Sequence, residues 1–174
     1  MKGWMGGMLL GLLATAASGQ TADEYHVKAA FLFNFAKFVD WPPQAFKTPE
    51  DPISICIVGK NPFGNTLHQA VSGQTVQGKS LAVRQIADLQ QVSACHIVFV
   101  AASERKRLAS ILGEIKTSAV LTVGESENFT AEGGMINFRI EDGNVRLQIN
   151  VNAAVQQQIH ISSKLLGLAE IVQK

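Results

Sequence analysis

The sequence predicts a single α/β domain: a sandwich with a mostly parallel sheet flanked by helices and an antiparallel hairpin near the C-terminus. Three observations carry that prediction. Ile53–Val58, Cys95–Val100 and Ala119–Val123 are short, continuous apolar runs rich in β-branched residues, the pattern of strands covered on both faces. Helical spacing occupies the segments between them, so strand and helix alternate as they do in parallel sheets. The chain then changes style, with Met135–Ile140 and Val145–Ile149 flanking Asp142-Gly143, a strong two-residue hairpin signal.

At the N-terminus, Lys2 is the only charge before Asp23, an apolar stretch runs from Trp4 to Leu13, and small residues follow from Ala14 to Gly19. These are the three regions of a secretory leader. Residues 1–18 are expected to be removed by cleavage between Ala16 and Gly19, leaving one domain over 21–174. The apolar run is far short of the roughly 20 residues that span a bilayer, so the processed chain is not expected to insert into a membrane.

A first helix is expected from Thr21, where Thr21 and Glu24 fit a capping box, to about Val39. Phe31, Phe35 and Phe38 recur at i, i+4 and i+7, with Leu32 and Val39 widening the stripe and Lys28 and Lys37 assigned to the other side. Core packing explains such a stripe; its density also suits a partner-facing edge. Trp41-Pro42-Pro43 ends the helix. A strand follows over Ile53–Val58, a helix over Pro62–Val71 and a strand over Ser80–Ile86. After the strand Cys95–Val100 comes a helix from about Glu104 to Ile115 with Ser103 as its N-cap, then the strand Ala119–Val123 and the hairpin. A last helix is expected to begin near Asn152 and run through Val155 and Ile159 to Leu165 and Leu166.

Composition excludes several functions. With Lys2 gone, 14 basic residues balance 14 acids, and aromatics make up only 7% of the chain. A neutral chain of this kind lacks the footprint of a nucleic-acid or membrane-surface binder. The two cysteines, Cys56 and Cys95, both survive processing, and in an oxidising compartment such a pair is most simply a disulfide. Each sits in an apolar run, so the bridge would join two neighbouring strands. The alternative is a pair of buried thiols serving as small apolar residues.

Catalytic motifs fail on inspection. Gly59-Lys60-Asn61-Pro62-Phe63-Gly64-Asn65-Thr66 follows a strand and opens a helix, where a phosphate loop would lie. Asn65 replaces the lysine that would meet the phosphates, and Pro62 removes a backbone N–H, so nucleotide hydrolysis is not expected. Gly59, Asn61, Gly64 and Asn65 remain candidates for a ligand or anion turn at the helix start. Ser103-Glu104-Arg105-Lys106 matches S-x-x-K, but the companion S-D-N and K-T-G motifs are absent from the sequence. The four histidines lack zinc-ligand spacing, and His96 beside Cys95 would point to the opposite face of a strand. No catalytic residue, metal or cofactor is expected.

Lys164 is the most distinctive charged position, set between two serines and a leucine pair in Ile161-Ser162-Ser163-Lys164-Leu165-Leu166. Near the end of the last helix it would neutralise carbonyls; as a functional residue it would contact an acidic ligand or partner. Phe31, Phe35, Phe38 and Lys164 are thus the candidate partner-binding residues.

Five segments together carry a resemblance. The run Ala29-Ala30-Phe31-Leu32-Phe33-Asn34-Phe35-Ala36-Lys37-Phe38 leads into Trp41-Pro42. The Asn61-Pro62-Phe63-Gly64 turn and the Cys95-His96-Ile97-Val98-Phe99-Val100 strand follow. Gly133-Gly134-Met135-Ile136-Asn137-Phe138 and the Ile161–Leu166 segment complete the set. In this order they resemble YfiR-like periplasmic proteins over about Glu24 to Val172. The resemblance implies an α/β sandwich, a homodimer, and a non-enzymatic repressor of the inner-membrane diguanylate cyclase YfiN. Such a protein engages the periplasmic part of the cyclase and lowers cyclic-di-GMP output. Cys56 and Cys95 match one cysteine pair of that family, whereas its second, later pair has no counterpart here. The alternative expectation is a small-ligand-binding module that reports to another membrane sensor, a histidine kinase or receptor.

Overall fold

The computed structural model describes residues 17–116 and 118–173. Most of the expected leader, residues 1–16, lies outside the described residues. The first helix, α1 (Ala17–Phe38), starts ahead of Thr21, so Thr21 lies within the helix and does not cap it. It passes directly into β1 (Val39–Asp40). The remaining elements are β2 (Ile53–Val58), α2 (Thr66–Val71), β3 (Thr75–Val76), β4 (Lys79–Ile86), β5 (Ile97–Val100) and α3 (Leu108–Ile115). They continue with β6 (Leu121–Gly124), β7 (Ile136–Glu141), β8 (Asn144–Asn150), α4 (Val151–Gln156), β9 (His160–Ile161), α5 (Ser163–Leu166) and β10 (Ala169–Val172).

Eight strands form one mixed sheet in the order β10-β8-β7-β6-β5-β2-β4-β3. Strands β4, β2, β5, β6 and β7 run parallel, and β7 and β8 form the antiparallel hairpin. A separate two-stranded pairing ties β1 to β9, Val39 opposite Ile161. The apolar runs read from the sequence are the central strands, and alternation sorts their side chains between two cores. Ile55, Ile57, Ile97 and Phe99 meet α1 and α2 through Leu32, Phe35, Leu67 and Val71. Cys56, Val58, Val98 and Val100 meet α3 on the opposite face through Ile111, Leu112 and Ile115.

Several boundaries differ from expectation. The helix expected from Pro62 starts at Thr66, because Asn61 and Gly64 fold the preceding residues into a turn of their own. Ser103 does not cap α3. It lies in a 3-10 turn, Ala102–Arg107, and its Oγ accepts a hydrogen bond from Lys60 N at 2.9 Å. Cys95 precedes β5, ending a 3-10 turn over Leu89–Ala94. The bridge Cys56–Cys95 is present, but it joins β2 to the turn that feeds β5, not strand to strand. The single last helix is three elements: α4 stops at Gln156, Gln158 takes a left-handed conformation at φ 57°, and β9 intervenes before α5. A short strand, β10, follows where none was expected.

The segment Gly133–Phe138 is explained by packing. A Cβ on Gly124 would lie 2.1 Å from Phe129 Cδ2, and one on Gly134 would lie 2.2 Å from Phe129 Cε1. The two glycines thus let the fully buried Phe129 ring approach the backbone from both sides. Met135, Ile136 and Phe138 then enter the α1-side core.

Candidate interaction site

In a doubly wound sheet the ligand crevice lies beyond the C-terminal ends of the strands, where neighbouring strands lead off in opposite directions. Here that point falls between β2, which connects to β4, and β5 on its other side. That point is bridged. Lys60 N donates to Ser103 Oγ across it, and a Cβ on Gly59 would meet Ser103 Oγ at 2.6 Å. The turn that follows spends its polar groups on itself: Asn61 Nδ2 donates to Gly64 O at 3.2 Å and Asn61 Oδ1 accepts from Phe63 N at 2.9 Å. Asn65 precedes a helix of one and a half turns and offers no side-chain cap.

Over this edge α1 delivers an ionic cluster. Lys28, 2% exposed, donates from Nζ to Glu125 Oε2 at 2.7 Å and pairs with Glu24 one turn earlier. Glu125 follows β6 directly; its Oε2 also accepts from Tyr25 Oη at 3.1 Å and its Oε1 accepts from Ala102 N at 3.1 Å. One carboxylate therefore joins α1, the end of β6 and the loop after β5. Burial and the neighbouring Glu125 carboxylate push the Tyr25 hydroxyl well above its ordinary pKa, so it stays a neutral donor. Periodicity places Lys28 on the side of α1 away from the Phe stripe. Its placement corrects that: it lies three and four residues before Phe31 and Leu32, on the same stripe, and its ammonium stands 4.6 Å from the Tyr25 ring centre.

The three phenylalanines of the stripe have different surroundings. Phe35 is fully buried, stacked on Phe138 at 5.9 Å; it is a core residue. Phe38 is half-buried at the helix end. Phe31 is half-buried between Phe35 and Phe138, at 6.1 and 6.0 Å, and it also lines a groove of about 760 Å³ between α1 and the β7–β8 hairpin. Val27, Ile140 and Val145 line the same groove. Val27 and Ile140, which line this one cleft, are 43% and 49% exposed, apolar surface that the fold leaves uncovered. Asp23 and Arg146 also line it. Sequence reading missed Val27 and Ile140; the signal was present in the hairpin, where Ile140 falls on the same face as buried Ile136 and Phe138 but beyond the reach of the core.

Lys164 is exposed on α5, a single turn whose N-cap is Ser162, with Ser162 Oγ accepting from Leu165 N at 3.4 Å. In a helix of one turn it lies in the last turn as well as the first, so it closes a short helix and not the long one expected. Leu165 is the buried anchor of this segment. Among the described residues, no group of three or more His, Cys, Asp or Glu side chains is placed to hold a metal ion. No helix there is long and apolar enough to cross a membrane.

The geometry defines an α/β domain with a bridged crevice, a buried ionic cluster and a partly apolar surface groove. The family follows from the sequence: residues 25–170 match the YfiR/HmsC-like family, and the chain belongs to it. This is a family of periplasmic regulators of diguanylate cyclases, generally without enzymatic activity. No curated protein matches the chain. Among solved structures, a conserved domain protein from Vibrio cholerae aligns with TM-score 0.51 and 13% identity, over 68% of this chain and 54% of that one. The ABC domain in complex with L-Trp from Streptococcus pneumonia aligns with TM-score 0.51 and 9% identity, over 88% of this chain and 60% of that one. This chain therefore spans little more than half the length of either. At such identities the likeness concerns the fold alone.

Proposed function

We propose that this protein is a periplasmic, non-enzymatic regulator that binds the periplasmic region of an inner-membrane diguanylate cyclase and holds it inactive. The groove between α1 and the β7–β8 hairpin is the docking surface. The observation that carries this reading is the exposure of Val27 and Ile140 along that groove, which half-buried Phe31 also lines. Apolar side chains that the fold leaves uncovered gain the full transfer free energy when a partner covers them, about 25 cal/mol per Å². Family membership supports the choice of partner, and the Cys56–Cys95 bridge suits an oxidising compartment. A homodimer belongs to the same proposal.

Binding alone suffices as mechanism. A regulator that prefers the inactive arrangement of the cyclase by about 5.5 kcal/mol moves it from almost wholly active to almost wholly inactive. The Lys28–Glu125 cluster fixes α1 to the sheet, so the groove is presented preformed and little ordering entropy is lost on docking.

Cellular cyclic-di-GMP tests the proposal. Deleting the gene is expected to raise it, and a secreted wild-type copy to restore it. A secreted Val27→Glu/Ile140→Glu copy, present at equal abundance, is expected to fail. Unchanged cyclic-di-GMP on deletion across several growth conditions would refute the reading.

A further inference from the structure

The sheet edge farthest from β10 is incompletely covered. β3 pairs only with Lys79 and Ser80, while β4 continues through Leu81–Ile86, and every one of those residues pairs inward with β2. Their outer side, about 20 Å long at 3.3 Å per residue, has no strand beside it among the described residues. Natural sheets usually blunt such an edge with proline, a covering element or several charges. Leu81–Ile86 contains no proline, and its only charge is Arg84.

A groove of about 570 Å³ runs beside this edge, between β4 and α2, lined by His68, Val71, Ser72, Leu81, Ala82 and Val83 among others. Leu81 and Val83 point to the α2 side, against the main core, so exposed Arg84 points to the other face. The sequence that forms this edge carries no acid. No Asp or Glu occurs from Pro52 through Ala87, a span that carries Lys60, His68, Lys79 and Arg84. Lys79 is engaged, donating to Pro49 O and lying 4.3 Å from the Phe46 ring centre. Arg84 has no ion pair among the described residues. The bounding acids serve their own turns, Asp51 accepting from Thr48 and Lys47 N–H groups and Asp88 from Gln90 N.

We propose that the outer edge of β4 is a second interaction surface, which captures an extended acidic polypeptide segment as an added strand. Main-chain hydrogen bonds to the open edge would supply affinity, and alternate side chains specificity. Apolar residues of the incoming strand enter the groove against Leu81 and Val83, and a carboxylate on its other face meets Arg84. This surface lies away from the α1 groove, and the inference does not depend on the identity of the cyclase partner.

The test uses the processed full-length protein and three labelled octapeptides read by fluorescence anisotropy at low salt. One alternates valine with glutamate, one alternates valine with lysine, and one is the glutamate peptide with two central residues replaced by proline. The glutamate peptide is expected to bind at least tenfold more tightly than either of the others. Arg84→Gln is expected to weaken that preference and Arg84→Glu to reverse it. Amide hydrogen exchange on wild-type protein is expected to show new protection confined to 81–86 on binding. Equal affinities for the three peptides, no binding, or protection elsewhere would overturn the proposal. So would protection of 81–86 that rises with protein concentration without peptide, since the occupant would then be a second copy of this chain.

Discussion

Replacing Lys28 with methionine keeps the stem packed and removes the charge, which isolates what the ammonium does. Its Nζ lies 2.7 Å from Glu125 Oε2, a gross attraction of about 6 kcal/mol at an effective dielectric of 20, much of it offset by desolvation of both groups. The Glu125 side chain is only 5% exposed, so in the variant a buried carboxylate keeps just the Tyr25 hydroxyl and Ala102 N–H as donors. Breaking one side of a buried pair typically costs about 3–5 kcal/mol. With a urea m value near 2 kcal/mol/M, the midpoint should fall by about 1.5–2.5 M. Adding Glu125→Gln removes the stranded charge while its amide oxygen still accepts from Ala102 N, so the double variant should recover at least about 1.5 kcal/mol of the loss. Urea unfolding followed by circular dichroism measures Lys28→Met, Glu125→Gln and the double variant. A Lys28→Met cost below about 1 kcal/mol, or strictly additive effects of the two changes, would refute the view that this cluster fastens α1 to the sheet.

Phe35→Ala should cost about 3–5 kcal/mol in the same assay, as loss of a core ring does, whereas Val27→Glu and Ile140→Glu should each stay within about 0.5 kcal/mol; similar costs for all three would place Val27 and Ile140 in the core. Reducing the Cys56–Cys95 bridge, which closes a separation of 39 residues, should lower stability by about 2–4 kcal/mol, and an unchanged unfolding midpoint in dithiothreitol would contradict this. His96 gives a pH dependence. Burial holds its pKa below the ordinary value, against the pull of the Ala45 carbonyl, while Nδ1 accepts from Ser54 N and Nε2–H donates to Ala45 O, each at 3.1 Å. The unfolded state therefore binds the extra proton first, and stability should fall as pH drops below about 6.5. Thermal midpoints at pH 7.5 and 5.5 should differ less in His96→Asn than in wild type; parallel profiles would show that another group sets the slope.

The sheet was readable because burial on both faces leaves a mark in sequence: Ile53–Val58 tolerates no polar residue except Ser54, itself buried. The hairpin was equally plain, since Asp142 and Gly143 take φ values of 51° and 74° that few other residue pairs accept. The C-terminal elements were not. Val155 and Ile159 keep helical spacing, yet Val155 is 67% exposed while Ile159 is buried, because left-handed Gln158 turns the chain and Ile159 N bonds back to Ala154 O at 3.0 Å. A glutamine at positive φ carries no sequence signal of the kind that glycine gives. β10 was missed because Ala169-Glu170-Ile171-Val172 is short and mixed, an edge strand with only one neighbour. Of the candidate site, the Phe31 position was legible from the stripe. The Lys28–Glu125 pair was not, since its partners are 97 residues apart and only the sheet topology brings them together.

The central claim is tested most directly with the cyclase itself. The rate of cyclic-di-GMP synthesis from GTP would be followed in membranes containing the full-length cyclase, while processed protein is titrated onto the periplasmic side. The account predicts a saturable fall in rate with wild-type protein and none with the folded Val27→Glu/Ile140→Glu variant. A cyclase equally active with and without saturating protein would contradict it.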